Sequence, residues 1–196
     1  MVKKITKYKI VELFLNDYSK SYYLRELALI LNKPHQTIKP YVEGLVKAGI
    51  LIKNKRRNIS EYSLNNKNKK INEYLFISEK EKLIEKLEEE TLLNLLYERL
   101  SIYFQKNSFI IFGSASIKVK KDSDIDLLVV GKEDISKTIK DFQEVYNKKI
   151  HKIQIVKLDE LNPSLIIEIY KKHLILNNTE KILEFFRGLY EKNKLV

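Results

Sequence analysis

The chain contains no cysteine, which rules out both a disulfide framework and a thiolate metal site. Histidine is almost as scarce. His35, His151 and His173 are the only three, nothing at metal-ligand spacing joins them, and each reads as a packing or surface residue, so a zinc site is not expected. No apolar stretch of signal-peptide or transmembrane length follows the early lysines. The expectation is a soluble, cytoplasmic protein with no membrane partner. Internal repeats and long low-complexity segments are also absent.

Positive charge is plentiful and unevenly placed. The formal net charge is +11. Residues 1–72 carry 16 Lys and Arg against 5 Asp and Glu, whereas residues 73–196 carry 21 of each sign. The whole excess therefore lies in the first third of the chain, and clustered Lys and Arg there imply a polyanion partner, because they release counterions from a phosphate backbone.

Apolar residues at helical spacing run through Tyr8 to Leu15 and, after the polar break at residues 16–21, through Tyr22 to Leu31. A third helix is expected over 32–48, closed by Gly49 after Ala48. Pro40 lies inside it: either the helix begins late, with Pro40 in its first turn, or it starts near Pro34 and kinks. Residues 50–64 alternate in two short runs around a polar stretch from Asn54 to Asn58 and predict a β-hairpin. Three helices followed by a hairpin resemble the winged helix-turn-helix domains of prokaryotic DNA-binding regulators, over about residues 5–65. That resemblance implies duplex DNA as partner, with His35, Gln36 and Lys39 of the third helix near base edges and Lys53, Lys55, Arg56 and Arg57 of the hairpin on phosphate or in the minor groove. It also implies a homodimer on two half-sites.

Ser78 and Glu81 stand at capping-box spacing and predict the start of a long helix running to about Phe104, roughly 40 Å at ~1.5 Å per residue. No strict heptad is sustained along it, so its leucines read as core rather than coiled coil. Beyond it, strands at Phe109–Gly113, Ile125–Val130 and His151–Leu158 alternate with helices, and a last helix is expected after Asn177 and Glu180, again at capping-box spacing. The fold class is α/β (α+β). The chain divides into a winged helix over 1–68, linker helices over 69–105 and an α/β domain over 106–196.

The chemistry concentrates in the segment GSASIKVKKDSDIDLLVV, residues 113–130. Gly113-Ser114 directly follows a buried strand, where a glycine turn brings backbone N–H groups close to a ligand and can cradle phosphate. Strand alternation puts Asp124 and Asp126 on one face with Ile125 on the other. Two carboxylates at one spot need a counterion, and hard oxygen donors suit Mg²⁺ or Mn²⁺.

Gly-Ser, nine intervening residues and Asp-x-Asp in an apolar strand resemble the nucleotidyltransferases related to DNA polymerase β, most closely the small prokaryotic ones, over roughly residues 92–190. The resemblance implies that Gly113 and Ser114 hold the β- and γ-phosphates of a nucleoside triphosphate such as ATP. It implies that Asp124 and Asp126 are catalytic and bind the divalent ions, and that a nucleoside monophosphate passes to an acceptor hydroxyl. A third carboxylate on the neighbouring strand belongs to the pattern. The expected position is Gln154, which is neutral and cannot act as a base, with Asp159 or Glu160 as substitutes. Lys118, Lys120 and Lys121 in the spacer either meet the triphosphate or are solvated.

Two classes of function follow. In one, the chain is an enzyme carried to its target by the winged helix. In the other, it is a DNA-binding transcriptional regulator whose nucleotide-binding domain is catalytically degenerate. Asp124 and Asp126 favour the first and Gln154 the second; nucleotide modification of a partner protein, the antitoxin role of some small nucleotidyltransferases, would make a protein the acceptor.

Overall fold

The computed structural model describes residues 5–56, 59–120 and 122–195, with Arg56 described by its backbone alone. It is an α+β structure with two separate sheets, as the alternation of periods predicts. The chain forms two compact units, Met1–Glu81 and Lys82–Leu195. None of the described helices is long and apolar enough to cross a membrane.

In the first unit α1 (Lys7–Glu12) is capped by Thr6, whose hydroxyl accepts the Lys9 N–H at 3.1 Å. A short strand β1 (Ser21–Tyr23), α2 (Leu24–Ile30), α3 (His35–Lys47) and the hairpin β2 (Leu51–Arg56) and β3 (Ile59–Leu64) follow. The sheet order is β1-β3-β2, all antiparallel. Phe14, Leu15, Leu27, Ile38, Val42 and Ile50 are fully buried and form its core.

Two expectations change here. The helix expected over Tyr22 to Leu31 yields its first two residues to β1, because Tyr22 packs edge-on against Phe14 and donates its hydroxyl to the Leu13 carbonyl at 2.9 Å. Glu26 accepts the Tyr23 N–H at 2.7 Å and fixes where α2 begins. The hairpin strands are also longer than expected, since β2 continues to Arg56 and leaves Asn54 and Lys55 in the ladder opposite Glu61 and Ser60. Of the two alternatives for Pro40, the structure has the early start, with Pro34 at the N-cap and Pro40 inside α3. Pro40 and Gln36 are both exposed. The Gln36 carbonyl, which loses its usual donor, therefore lies on the wet side of the helix, where water can satisfy it.

The long helix from Ser78 is not formed. Instead α4 (Ile71–Glu89) starts seven residues earlier, and Ser78 lies buried in its middle with its hydroxyl bonded back to the Tyr74 carbonyl at 2.7 Å. Glu81 is engaged by the Thr6 hydroxyl at 2.7 Å rather than by a cap. At Glu90 the backbone leaves the helical region, at φ −120° and ψ 88°, and α5 (Thr91–Ser101) begins anew.

The second unit is built on a four-stranded sheet of order β6-β5-β4-β7, from β4 (Ser108–Phe112), β5 (Ile125–Val130), β6 (Ile150–Ile155) and β7 (His173–Ile175). β5 and β6 run parallel, joined through α6 (Ser136–Tyr146), while β4 is antiparallel to both β5 and β7. The strands are nearly continuous apolar runs because both faces are covered. Leu93, Leu96 and Leu100 of α5 and Ile139 and Phe142 of α6 pack with Phe109, Ile111, Leu127 and Val129. Ile110 and Leu128 are equally buried, and α7 (Pro163–Lys171) and α8 (Thr179–Glu191) bury Ile169, Tyr170, Ile182 and Phe186. His173 is buried against Phe186, with Nδ1 2.9 Å from the Tyr170 carbonyl oxygen, in keeping with a packing role.

Asn177 does not cap α8; Asn178, in the left-handed conformation, stands at that position. Asn177 is buried and ties three backbone groups together. It accepts the Phe109 N–H at 2.8 Å and donates to the carbonyls of Asn107 at 2.8 Å and Phe104 at 3.1 Å. Asn177→Ala removes these bonds to the Phe109 N–H and the Asn107 carbonyl in the interior, while Asn178 still donates to the Phe104 carbonyl at 3.4 Å, and should destabilise the unit by about 2–3 kcal/mol. Urea denaturation should show a lower midpoint at unchanged slope.

Candidate functional site

The candidate site lies at one end of the second sheet, where β4 finishes and β5 and β6 begin. The chain leaves β4 at Gly113 with φ +67°, in the left-handed region that glycine enters without penalty, and turns through the short 3-10 segment Gly113–Ser116. A Cβ at Gly113 would stand 2.8 Å from Oδ2 of Asp126. The backbone conformation thus favours glycine, and a larger residue would push the Asp126 carboxylate aside. Its N–H is spent on the Lys172 carbonyl at 3.1 Å, while Ser116, which sequence reasoning passed over, is buried and donates its hydroxyl back to the Gly113 carbonyl at 2.8 Å. Ser114 is the exposed polar residue of the turn.

Ile125 is fully buried, and Asp124 and Asp126 flank it with side chains 44% and 30% exposed. Each carboxylate has a nitrogen-bearing neighbour on or beside β6. Lys149 Nζ lies 3.4 Å from Asp124 Oδ2, and His151 Nδ1 lies 3.4 Å from Asp126 Oδ1. Among the described residues no group of three His, Cys, Asp or Glu side chains is gathered to hold an ion.

The third position differs from the expectation. Parallel register pairs Ile125 with Ile150 and Asp126 with His151, so the residue beside Asp126 is His151. Gln154 pairs with Val129, three residues or about 10 Å further along the strand. There its amide donates to the carbonyls of Gly131 at 3.3 Å and Glu133 at 3.0 Å and accepts from Lys152 Nζ at 3.0 Å. Lys152 also donates to the Ser136 hydroxyl, and Ser136, through its hydroxyl and backbone N–H, holds the Asp134 carboxyl below the usual carboxylate range. Gln154 is therefore part of a polar cluster that fastens the start of α6 to β6. Asp159 and Glu160 lie past the far end of β6, where Glu160 accepts the Val156 N–H, and cannot substitute. The sequence alone carries no signal for His151 at this place, because it is the register of β5 with β6 that puts it there.

The spacer lysines Lys118 and Lys120 are exposed, and Lys121 lies outside the described residues. The Lys120 carbonyl accepts from the buried Lys148 ammonium.

In the first unit His35, Gln36 and Lys39 occupy the exposed first turns of α3, and Lys39 lies 3.8 Å from Glu43 one turn on. His35, Lys39 and Lys53 line one groove of about 730 Å³ with Tyr23, Arg25 and Tyr62. Lys55 is exposed outside it. Arg25, absent from the sequence expectations, joins the basic lining. The hairpin arginines, the Arg56 side chain and Arg57, lie outside the described residues.

Gly113→Ala should cost about 1–2 kcal/mol from its left-handed backbone alone and displace the Asp126 carboxylate. Denaturation and the Asp126 carboxyl chemical shift report the two effects. Gln154→Ala should cost about 1 kcal/mol and leave the Asp126 and His151 signals where they are.

Residues 91–187 match the family model of the nucleotidyltransferase domain. No curated protein and no solved structure gives a significant match. The matched stretch begins with α5, ends in α8, and contains the glycine-serine turn, both aspartates and His151. Residues 91–187, within the second unit, are thus similar to a nucleotidyltransferase domain.

Proposed function

We propose that the chain transfers a nucleoside monophosphate from a nucleoside triphosphate to an acceptor hydroxyl, with Mg²⁺ or Mn²⁺, and that its first unit brings it to duplex DNA. The observation that carries the enzymatic reading is the packing of the bare Gly113 turn against Asp126, inside residues that match a nucleotidyltransferase domain.

The donor set fits a particular kind of ion. Mg²⁺ is typically held by one or two carboxylates together with substrate phosphates, not by an all-protein cage. Asp124 and Asp126, half-exposed and with no third carboxylate beside them, suit an ion that arrives with its triphosphate. Bound there, the ion would neutralise phosphate charge and polarise the α-phosphoryl group. Asp124 and Asp126 hold it. Ser114, through its hydroxyl and the backbone of the turn, orients the β- and γ-phosphates, since the Gly113 N–H is already committed. The acceptor hydroxyl gives up its proton to solvent as its oxygen forms a bond to the α-phosphorus, the bond to the bridging oxygen breaks, and pyrophosphate leaves with that electron pair. Positioning and charge stabilisation supply most of the rate.

The first unit's order of helix, strand, two helices and hairpin supports the winged-helix reading, and the excess of positive charge supports DNA as its partner. In that arrangement α3 enters the major groove with His35, Gln36 and Lys39, and Lys53, Lys55, Arg56 and Arg57 contact the backbone or minor groove. Two copies would meet two half-sites.

Incubating the protein with each α-labelled nucleoside triphosphate, divalent metal and cell extract tests the transfer and reveals whether the acceptor is a protein or a nucleic acid. Label should reach a macromolecule with the parent chain and fall at least about a hundredfold in Asp124→Ala and Asp126→Ala. Equal transfer by the variants would refute the assignment. Metal-dependent nucleotide binding without transfer would instead support a DNA-binding regulator with a degenerate site. For DNA, Lys39→Ala with Lys53→Ala should reduce the slope of log affinity against log salt by about two. Binding that is insensitive to salt contradicts the reading.

A further inference from the structure

We infer that His151 is a nitrogen ligand of the nucleotide-bound metal ion, so that this site prefers Mn²⁺ or Co²⁺ over Mg²⁺. The inference rests on the reading of Asp124 and Asp126 as the metal carboxylates.

Neighbours in register on a parallel ladder point to the same face, and His151 is the register partner of Asp126. Its Nδ1 lies 3.4 Å from Asp126 Oδ1. Two donors each about 2.1 Å from one ion are about 3.0–3.4 Å apart for angles between right and tetrahedral. The pair is therefore already spaced for a shared ion without movement of the backbone. The imidazole is 65% exposed, so nothing packs it into another role.

Asp124 is differently placed, drawn toward Lys149 on a side chain that is 76% exposed and free to swing away. Asp126 is the less exposed of the two carboxylates and lies close to the Gly113 turn, with His151 as its register partner. The donors that meet there are thus one oxygen and one nitrogen. Mg²⁺ favours an all-oxygen shell and gives up water reluctantly, whereas imidazole suits the first-row transition metals, with affinity rising from Mn²⁺ to Co²⁺. An exposed imidazole beside a carboxylate otherwise contributes little to stability, so the pairing is better accounted for by a ligand than by the fold.

The test uses the full chain with Mn²⁺ or Mg²⁺ and adenosine α,β-methylene triphosphate, whose bridging carbon prevents transfer. Pulsed electron paramagnetic resonance of the Mn²⁺ complex should show coupling to a directly bound nitrogen, and that coupling should vanish in His151→Ala and His151→Asp. Competition between the two metals should show the Mn²⁺-over-Mg²⁺ preference falling about tenfold or more in His151→Asp, which completes an oxygen set. Mn²⁺ binding lost in Asp126→Ala, but with no nitrogen coupling and an unchanged preference in the His151 variants, overturns the inference and leaves the carboxylate site standing. Mn²⁺ binding indifferent to both Asp124→Ala and Asp126→Ala overturns the carboxylate reading itself.

Discussion

The site depends on the close approach of one turn to one carboxylate. Where β4 ends, the backbone of Gly113 passes so close to the Asp126 carboxylate that a single added carbon would meet its oxygen at 2.8 Å. That approach borders Asp126 on one side, and the parallel pairing of β5 with β6 sets His151 beside it. The turn toward Ser114 and the register of two strands therefore converge on one carboxylate. The apolar sheet beneath is buried on both faces and holds those strands in the core of the unit.

Much of this arrangement was legible in the residues. Short apolar runs located β4 and β5 and an alternating one located β6, and Gly113-Ser114 followed by Asp124 and Asp126 marked the candidate edge. The failures have physical causes. Ser78 and Asn177 each stood three residues before a glutamate, but the pattern does not say whether the hydroxyl or amide faces a helix end or the interior. In both cases burial won: Ser78 bonds back within α4, and Asn177 serves backbone groups far away in sequence. Tyr22 fits a helical and an extended pattern equally well, and its contact with Phe14 decided for the strand. Gln154 was misplaced because alignment along one strand carries no information about its register with the next. The register depends on where α6 ends, at the left-handed Asn147, and that feature is hard to anticipate from composition.

The distribution of charge separates two kinds of electrostatics in one chain. In the first unit positive residues are numerous, exposed and mostly unopposed, a pattern that acts at a distance and weakens with salt. In the second unit the charges balance, and the informative ones are paired at short range: Lys149 with Asp124, His151 with Asp126, and Lys152 with Ser136 and Gln154. Such contacts act at the reach of one side chain rather than at a distance.

The strand that carries His151 is also the border of its sheet, since β6 stands first in the order β6-β5-β4-β7. A six-residue border strand has one row of peptide groups open to any extended segment that drifts alongside, including the same strand of another molecule. Lys149 lies at its start and Lys152 within it. Lys152 is turned inward to Asp134, Ser136 and Gln154, but Lys149 is 76% exposed and sets a charge at the border. A charge at such a border is one of the devices that discourage edge-to-edge pairing between copies of a chain.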